Sequence, residues 1–314
     1  MDTPQVKRVG TDTAGEAFRA GYVAIIGPPN AGKSTLVNRL VQQKLSIVSA
    51  RPQTTWHRIL GIKTLPQAQL LFLDTPGLHR SDAAFNQALV RSALAAMTDA
   101  DLILWVSDVS RPGDPDDELI LEQLREKGLR ATVILVLNKV DLVAKPLLLP
   151  LIARWHELYP FAEIVPVSAI QGDNVDRLES LLVRYLPEGH PFYPPEELSD
   201  RPERFFIAEV IREKAFSLLR QELPYAVAVE VEVVRAREGR DLTDVEATIY
   251  VEKESQKAIV IGTGGKMLKR IGEQARPEIE AMLETRVFLR LWVKILEGWS
   301  KNPAALRRFG YLEH

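Results

Sequence analysis

From Gly21 to about Leu186, apolar runs of strand length alternate with amphipathic stretches of helix length. The runs are YVAIIG (22–27), RILGIKT (58–64), QLLFLD (69–74), DLILWVSD (101–108), ATVILVLN (131–138) and EIVPVSA (163–169). Helical spacing begins near Gly32, Ala84, Asp114, Leu147 and Val175. Such alternation predicts βαβ units and a mostly parallel sheet with helices on both faces. LLFLD and VILVLN are apolar throughout, as parallel strands buried on both sides are.

The pattern changes at LPEGHPFYPPEELSDRPE (186–203), whose five prolines in eighteen residues predict an extended linker. Residues 203–223 then carry a helical pattern. YAVAVEVEVV (225–234), EATIYVEKE (246–254) and RVFLRLWVKIL (286–296) alternate with a period of two, as half-buried antiparallel strands do. The expected organisation is a loose tail (1–20), an α/β domain (21–186), a linker (187–203) and a smaller α+β domain with a C-terminal tail (204–314).

Composition narrows the function without choosing it. A chain of 314 residues has room for two cores. Its 40 basic and 42 acidic residues exclude a globally basic nucleic-acid binder but leave local patches open. The absence of cysteine removes disulfides, thiolate catalysis and cysteine-based zinc sites, and fits a reducing cytosol. The five histidines lack metal-ligand spacing. The first twenty residues lack the apolar core of a signal peptide, and no run approaches the ~18 apolar residues of a membrane span.

The first chemistry lies in Gly27-Pro28-Pro29-Asn30-Ala31-Gly32-Lys33-Ser34-Thr35, between a strand and a helix. This is the G-x-x-x-x-G-K-S phosphate cradle in the context it requires. Its backbone N–H groups and the helix N-terminus face an anion; Lys33 would reach the β and γ phosphates and Ser34 would ligate Mg²⁺. Asp74-Thr75-Pro76-Gly77 ends the strand LLFL, which suits Asp74 to Mg²⁺ and the Gly77 N–H to the γ-phosphate. Thr54 and Thr55 are candidates for the threonine that closes over Mg²⁺, with Thr55 favoured. Lys33, Thr55 and Gly77 are thus the candidate catalytic set.

The base is read further on. Asn138-Lys139-Val140-Asp141 follows a buried strand. The Asp141 carboxylate can accept from both guanine N1–H and N2–H₂, donors that adenine lacks in that arrangement. Lys139 would lay its aliphatic stem along the base, and Asn138 would brace neighbouring loops. Ser168-Ala169 ends the next strand, where the Ala169 N–H could meet guanine O6. Leu78, after the DTPG glycine, cannot orient water, and Arg51, Arg58 and Arg80 read as solvated surface charges. Slow unassisted hydrolysis follows, toward the low end of ~10⁻⁴ to 10⁻² s⁻¹.

A second chemistry lies in AIVIGTGGKMLKRIGEQARPEIEAML (258–283), which resembles the core of K-homology domains. The turn Gly262-Thr263-Gly264-Gly265 would bring backbone close to single-stranded RNA. Ile261, Met267, Leu268 and Ile271 would shape an apolar groove, with Ile271 read first as core, and Lys266, Lys269 and Arg270 would supply charge. From Lys253 to Lys294 nine Lys/Arg face five Glu, a local excess of four on a chain of net −2. The two central turn positions hold Thr263 and Gly264 without the lysine common there. Trp299 and Tyr311 in the tail are expected to pack on the domain.

GPPNAGKS, QTTWHR, DTPG, NKVD and VSA together resemble the G-motifs of translation-factor-class GTPases. With the linker and the glycine turn, they resemble the Era family of bacterial ribosome-assembly GTPases over roughly Tyr22 to Leu312. The resemblance implies a P-loop GTPase domain and a type II KH domain, with GTP or GDP and Mg²⁺ as ligands. It implies the 3′ end of small-subunit ribosomal RNA and the small ribosomal subunit as partners of a monomeric cytoplasmic chain, with peripheral contact to the inner membrane. Asn30 resembles the P-loop asparagine of members that use K⁺. Two other readings stay open: a GTPase acting on another RNA or on the large subunit, and a nucleotide-gated RNA-binding module with negligible hydrolysis.

Overall fold

The computed structural model describes residues 17–47, 59–75, 77, 95–127, 131–220 and 223–310. The first sheet contains β1 (Arg19–Ile26), β2 (Ile59–Leu65), β3 (Ala68–Asp74), β4 (Leu102–Asp108), β5 (Thr132–Asn138) and β6 (Glu163–Val167). Their spatial order is β2-β3-β1-β4-β5-β6. All neighbours run parallel except β2 and β3, which form a hairpin across Pro66 and Gln67. The chain fills one side of β1 with β2 and β3 and the other with β4 to β6. In open α/β sheets the crevice outside the strand C-termini at such a reversal is where ligands bind.

Helices α1 (Lys33–Val41), α2 (Pro115–Lys127), α3 (Leu148–Leu158) and α4 (Val175–Tyr185) cover this sheet. Successive strand residues point to opposite faces, and the core divides accordingly. Leu104, Val106 and Val136 join Leu36 and Leu40 of α1 and Leu178 of α4. Ile103, Trp105 and Leu135 join Leu124 of α2 and Trp155 of α3. Every residue of β3 and β4 is buried, which accounts for the apolar runs Leu70–Leu73 and Leu102–Val106. The helix expected near Ala84 falls outside the described residues.

The second domain contains α5 (Glu203–Leu218), β7 (Ala228–Ala236), β8 (Thr243–Val251), α6 (Glu254–Ile261), α7 (Lys266–Leu283), β9 (Val287–Ile295) and α8 (Pro303–Arg308). Its sheet is ordered β7-β8-β9 and has its own core, which includes Ile207, Ile211, Ala247, Ile249, Ile271 and Ile279. β7 and β8 are antiparallel as expected, but β9 runs parallel to β8. The period-two pattern shows only that one face of β9 is buried; its direction follows from α6 and α7, which return the chain to the start of the sheet.

Two expected boundaries shift. β1 begins at Arg19, inside the stretch read as tail, because Arg19 pairs with Ala68 and its guanidinium donates to Leu186 O at 2.6 Å. α5 begins at Glu203, the last residue assigned to the linker. The linker itself is strapped to the first domain. Buried Gln69 accepts from Phe192 N (2.7 Å) and Tyr193 N (3.0 Å) and donates to Tyr193 O (2.8 Å). Ile62 N donates to Leu198 O at 2.9 Å, and Ser199 Oγ to Leu60 O at 2.6 Å. Proline supplies the extended backbone, and the first domain supplies partners for the amides and carbonyls that remain.

One carboxyl in the first core is set against water. Asp117, in the first turn of α2, is buried and accepts from Trp105 Nε1 (3.0 Å) and Ser107 Oγ (2.7 Å). Burial pushes its pKa up to about 6 despite these two donors. A raised folded-state pKa stabilises the fold below the unfolded value, and that contribution is lost as pH rises to about 6. The loss amounts to about 3 kcal/mol. Asparagine does not titrate; its Oδ1 still accepts from Trp105 Nε1, and its Nδ2 donates to Ser107 Oγ with that bond reversed. Asp117→Asn is therefore expected to gain stability relative to the parent between pH 4 and pH 7, by up to about 3 kcal/mol in urea unfolding followed by tryptophan fluorescence. A constant difference across that range would contradict this assignment.

Candidate functional site

The phosphate turn connects β1 to α1 at the reversal point of the sheet. Gly27 and Gly32 hold φ of 152° and 97°. A Cβ on Gly27 would lie 2.2 Å from Val106 O, and one on Gly32 would lie 2.2 Å from Asn138 Nδ2. The turn is thus pressed against β4 on one side and the NKVD loop on the other, and only glycine fits. Asn30 occupies the left-handed region at φ 63°. Lys33 is buried, with Nζ donating to Gly27 O (2.9 Å) and Pro28 O (2.8 Å). Burial brings its pKa down to about 8, against the pull of Asp74. The ammonium is therefore held inside the loop whose N–H groups would cradle phosphate.

Ser34 Oγ donates to Asp74 Oδ2 at 2.9 Å. The other carboxylate oxygen, Oδ1, is buried with no hydrogen-bond partner within 3.5 Å among the described residues, and the Ser46 hydroxyl lies beside the carboxylate. Burial raises the Asp74 carboxyl above its ordinary range, opposed by Ser46, Lys33 and Ser34. A hydroxyl and a carboxylate with an unused lone pair are the hard oxygen donors that Mg²⁺ takes, so the residues fit that ion. Gly77 packs so closely that a Cβ would lie 2.9 Å from Pro29 N, which places its backbone against the phosphate turn. Thr75 stands between Asp74 and the rest of the motif. Its hydroxyl is buried and donates to Ile25 O at 2.7 Å, tying the end of β3 to β1, so the side chain is spent on the fold. Thr55, Pro76 and Leu78 lie outside the described residues, as do Thr54, Arg51, Arg58 and Arg80.

The base-reading loops converge on Asn138. Its Nδ2 donates to Ala31 O (2.8 Å) and its Oδ1 accepts from Ala169 N (3.0 Å). The Ala169 N–H expected for guanine O6 is therefore bonded to Asn138, and it braces two loops. Val140 opens a short 3₁₀ turn that carries Asp141, whose Oδ1 accepts from Ser168 Oγ at 2.5 Å. A carboxylate has about four acceptor positions, so capacity remains for a pair of base donors. Thr35 continues the first turn of α1. Two residues that the motifs did not include also build this site. Asp108, at the end of β4, pairs with Lys139 Nζ at 2.6 Å. Arg39 of α1 donates to Ala169 O (3.2 Å) and Ile170 O (2.5 Å), fixing the VSA loop to the helix. Asp108 carried a signal in its position, since it ends a buried strand as Asp74 does.

The glycine turn of the second domain joins α6 to α7. Gly262, Gly264 and Gly265 have φ of 72°, 59° and 77°. A Cβ on Gly262 would lie 2.7 Å from Met267 Cβ, whereas Cβ atoms on Gly264 and Gly265 would meet nothing within 4 Å. The turn is anchored at Gly262 and open at its tip. Thr263, Lys266, Lys269 and Arg270 are exposed around it. Ile271 is core, as read first, while Ile261, Met267 and Leu268 are half-buried against that core. Ile259, which the motif left out, is 55% exposed on α6 next to the turn. Trp299 is buried with Nε1 donating to Ala226 O at 3.3 Å, as expected, and Tyr311 lies outside the described residues.

The Asp141 carboxylate generates a test of base recognition. Asparagine offers one acceptor and one donor, which suit the N1–H and C2 carbonyl of xanthine. Asp141→Asn is expected to weaken guanine-nucleotide binding by about a hundredfold or more and to raise xanthine-nucleotide binding. Competition of GDP and XDP against a fluorescent nucleotide measures both; an unchanged order of preference would remove Asp141 from base recognition.

Known proteins share both domains of this chain. Residues 22–139 match the family model of a 50S ribosome-binding GTPase, and residues 222–300 that of a KH domain. GTPase Era of Geotalea uraniireducens (strain Rf4) is 50% identical over 294 residues, covering 94% of this chain and 98% of that protein. GTPase Era of Staphylococcus haemolyticus (strain JCSC1435) is 43% identical over 295 residues, with coverage of 94% and 98%. A crystal structure of Era in complex with MgGDPNP and nucleotides 1506–1542 of 16S ribosomal RNA is 40% identical with a TM-score of 0.88, covering 94% of this chain and all of that one (100%). Such similarity runs through both domains and the linker, so the nucleotide turn and the glycine turn are features of one shared architecture, and the chain belongs to the Era family of GTPases.

Proposed function

We propose that this GTPase is a switch that binds single-stranded RNA at the 3′ end of small-subunit ribosomal RNA and acts in assembly of the small subunit. The observation that carries this is the open turn Gly262–Gly265 at the start of α7, ringed by Lys266, Lys269 and Arg270, in a chain alike over 94% of its length to an Era bound to 16S ribosomal RNA. The 50S description belongs to a family model that ends at residue 139 and does not include the RNA-binding half. Ser34 and Asp74 would hold Mg²⁺, joined by Thr55 in the triphosphate state, and Asn30 would contribute to a K⁺ site. A bound Mg²⁺ would supply positive charge against the charge that develops on the phosphate oxygens. Lys33 would leave its two carbonyls for phosphate, and the Gly77 N–H would report the γ-phosphate. The setting is cytoplasmic and the chain monomeric. No described helix is long and apolar enough to cross a membrane, and contact with the inner membrane would be peripheral.

Coupling between the two sites has a physical route beyond the linker. Asn38 of α1 accepts from Leu45 N and Ser46 N (both 2.9 Å) and donates to Ser46 O (2.8 Å), so the segment after α1 moves with that helix. Lys44 in this segment reaches Glu213 of α5 (2.9 Å) and Glu278 of α7 (2.6 Å), and Lys214 bonds both acids. α1 begins at the phosphates and α7 at the RNA turn. A shift of one helix with nucleotide state therefore loads the other through this four-charge cluster.

The function is tested by binding a short RNA copying the small-subunit 3′ end, and a scrambled RNA of equal length, to the GTP-loaded and GDP-loaded chain at two salt concentrations. The GTP form is expected to prefer the true sequence, and the preference to survive higher salt while the scrambled RNA is lost. Gly264→Asp should abolish that preference and leave nucleotide affinity intact. Equal binding of both RNAs, fading together with salt, would leave the second domain a mere electrostatic surface. Lys44→Met is expected to shrink the GTP-to-GDP ratio of RNA affinity by about threefold or more; an unchanged ratio would leave coupling to the linker alone. Faster hydrolysis in K⁺ than in Na⁺ is expected from Asn30, and equal rates would remove the K⁺ site.

A further inference from the structure

Lys139 is the residue expected to lay its stem along the base, yet a lysine side chain has four rotatable bonds and no reason of its own to stay extended. Two constraints act on it here. Its backbone is left-handed, at φ 66° and ψ 37°, which fixes where the side chain starts. Its far end is tied to Asp108, with Nζ 2.6 Å from Oδ2. The lysine side chain is 27% exposed and the Asp108 side chain 7%.

Asp108 is built to hold that position. It is the register partner of Asn138, the last residues of β4 and β5, and Val109 N donates to Asn138 O at 3.0 Å. Its other oxygen, Oδ1, accepts from Ser110 N (2.9 Å) and Ser110 Oγ (2.6 Å). The carboxylate therefore cannot swing: one oxygen is clamped by the following turn and the other faces the ammonium. Burial alone would raise its pKa; the Lys139 ammonium and the Ser110 donors reverse this and hold it below the ordinary carboxylate range.

We propose that Asp108 is a positioning residue for nucleotide binding: by anchoring the Lys139 ammonium it stretches the lysine stem into a rigid apolar platform for the purine ring. Such preorganisation lowers the entropy lost when the base arrives. Asp108 is distinct from Asp141 in what it reads. A platform supports any purine, whereas Asp141 selects the donors of guanine. This inference rests on the guanine-nucleotide reading of the NKVD loop.

The test is a double-mutant cycle on the full chain, with dissociation rate and Kd measured for fluorescent GDP and IDP. Asp108→Asn retains an acceptor for Ser110 but loses the charge that holds Lys139; Lys139→Met keeps an apolar stem without the ammonium. Asp108→Asn is expected to weaken GDP and IDP about tenfold alike, mainly through faster dissociation, and to cost less than about twofold in the Lys139→Met background. Asp108→Glu is expected to recover part of the loss, and thermal midpoints confirm that each variant is folded. An equal loss in both backgrounds, or a loss for GDP without one for IDP, would overturn the proposal, as would tight GDP binding by Asp108→Asn. Failure of the unsubstituted chain to prefer GDP over ADP would instead bring down the guanine reading itself.

Discussion

The nucleotide site depends on one buried amide. Asn138 donates to the phosphate turn at Ala31 O and accepts from the VSA loop at Ala169 N, and Gly32 is pressed so close that a Cβ there would lie 2.2 Å from Nδ2. Three loops from three strand ends thus share one side chain with both polar ends satisfied. A buried amide with either end unpaired would carry the full cost of its desolvation, so the loops are held together as a unit. The phosphate turn, the base-reading loop and the loop that fixes Asp141 through Ser168 inherit their spacing from this contact.

The same edge of the sheet repeats one device. β3 ends in Asp74 and β4 ends in Asp108, and both carboxylates are buried where strands run out of ladder partners. Asp74 turns toward Ser34 and the phosphate side, Asp108 toward Lys139 and the base side. A strand end suits this use. Its backbone is fixed by the neighbouring strands, so a short side chain placed there has few conformations left.

The two domains are joined by more than a spacer. Gln69 straps the linker onto the first sheet, and the Lys44–Glu213–Lys214–Glu278 cluster bridges the segment after α1 to α5 and α7. The strap sets where the second domain begins; the charges respond to where α1 and α7 lie. Phe205 and Phe206 of α5 also pack against the first-domain core, so the joint is part apolar and part charged.

What the sequence determined by itself was whatever depends on near neighbours. The strand and helix periods, the glycines of both turns and the order GPPNAGKS, DTPG, NKVD and VSA are local, because backbone geometry and phosphate cradling act over a few residues. Only the tertiary structure decided which atoms were left for ligands. Thr75 stands inside a nucleotide motif, yet its hydroxyl is taken by Ile25 O, fifty residues away. The Ala169 N–H is taken by Asn138, Lys139 finds Asp108, and Lys44 finds acids of the other domain. β9 reads as one more alternating strand, and its parallel direction came from the helices before it. The physical reason is common to all of these. A hydrogen-bonding or charged group pairs with whatever the fold brings within about 3 Å, and that distance in space leaves no trace in the spacing along the chain.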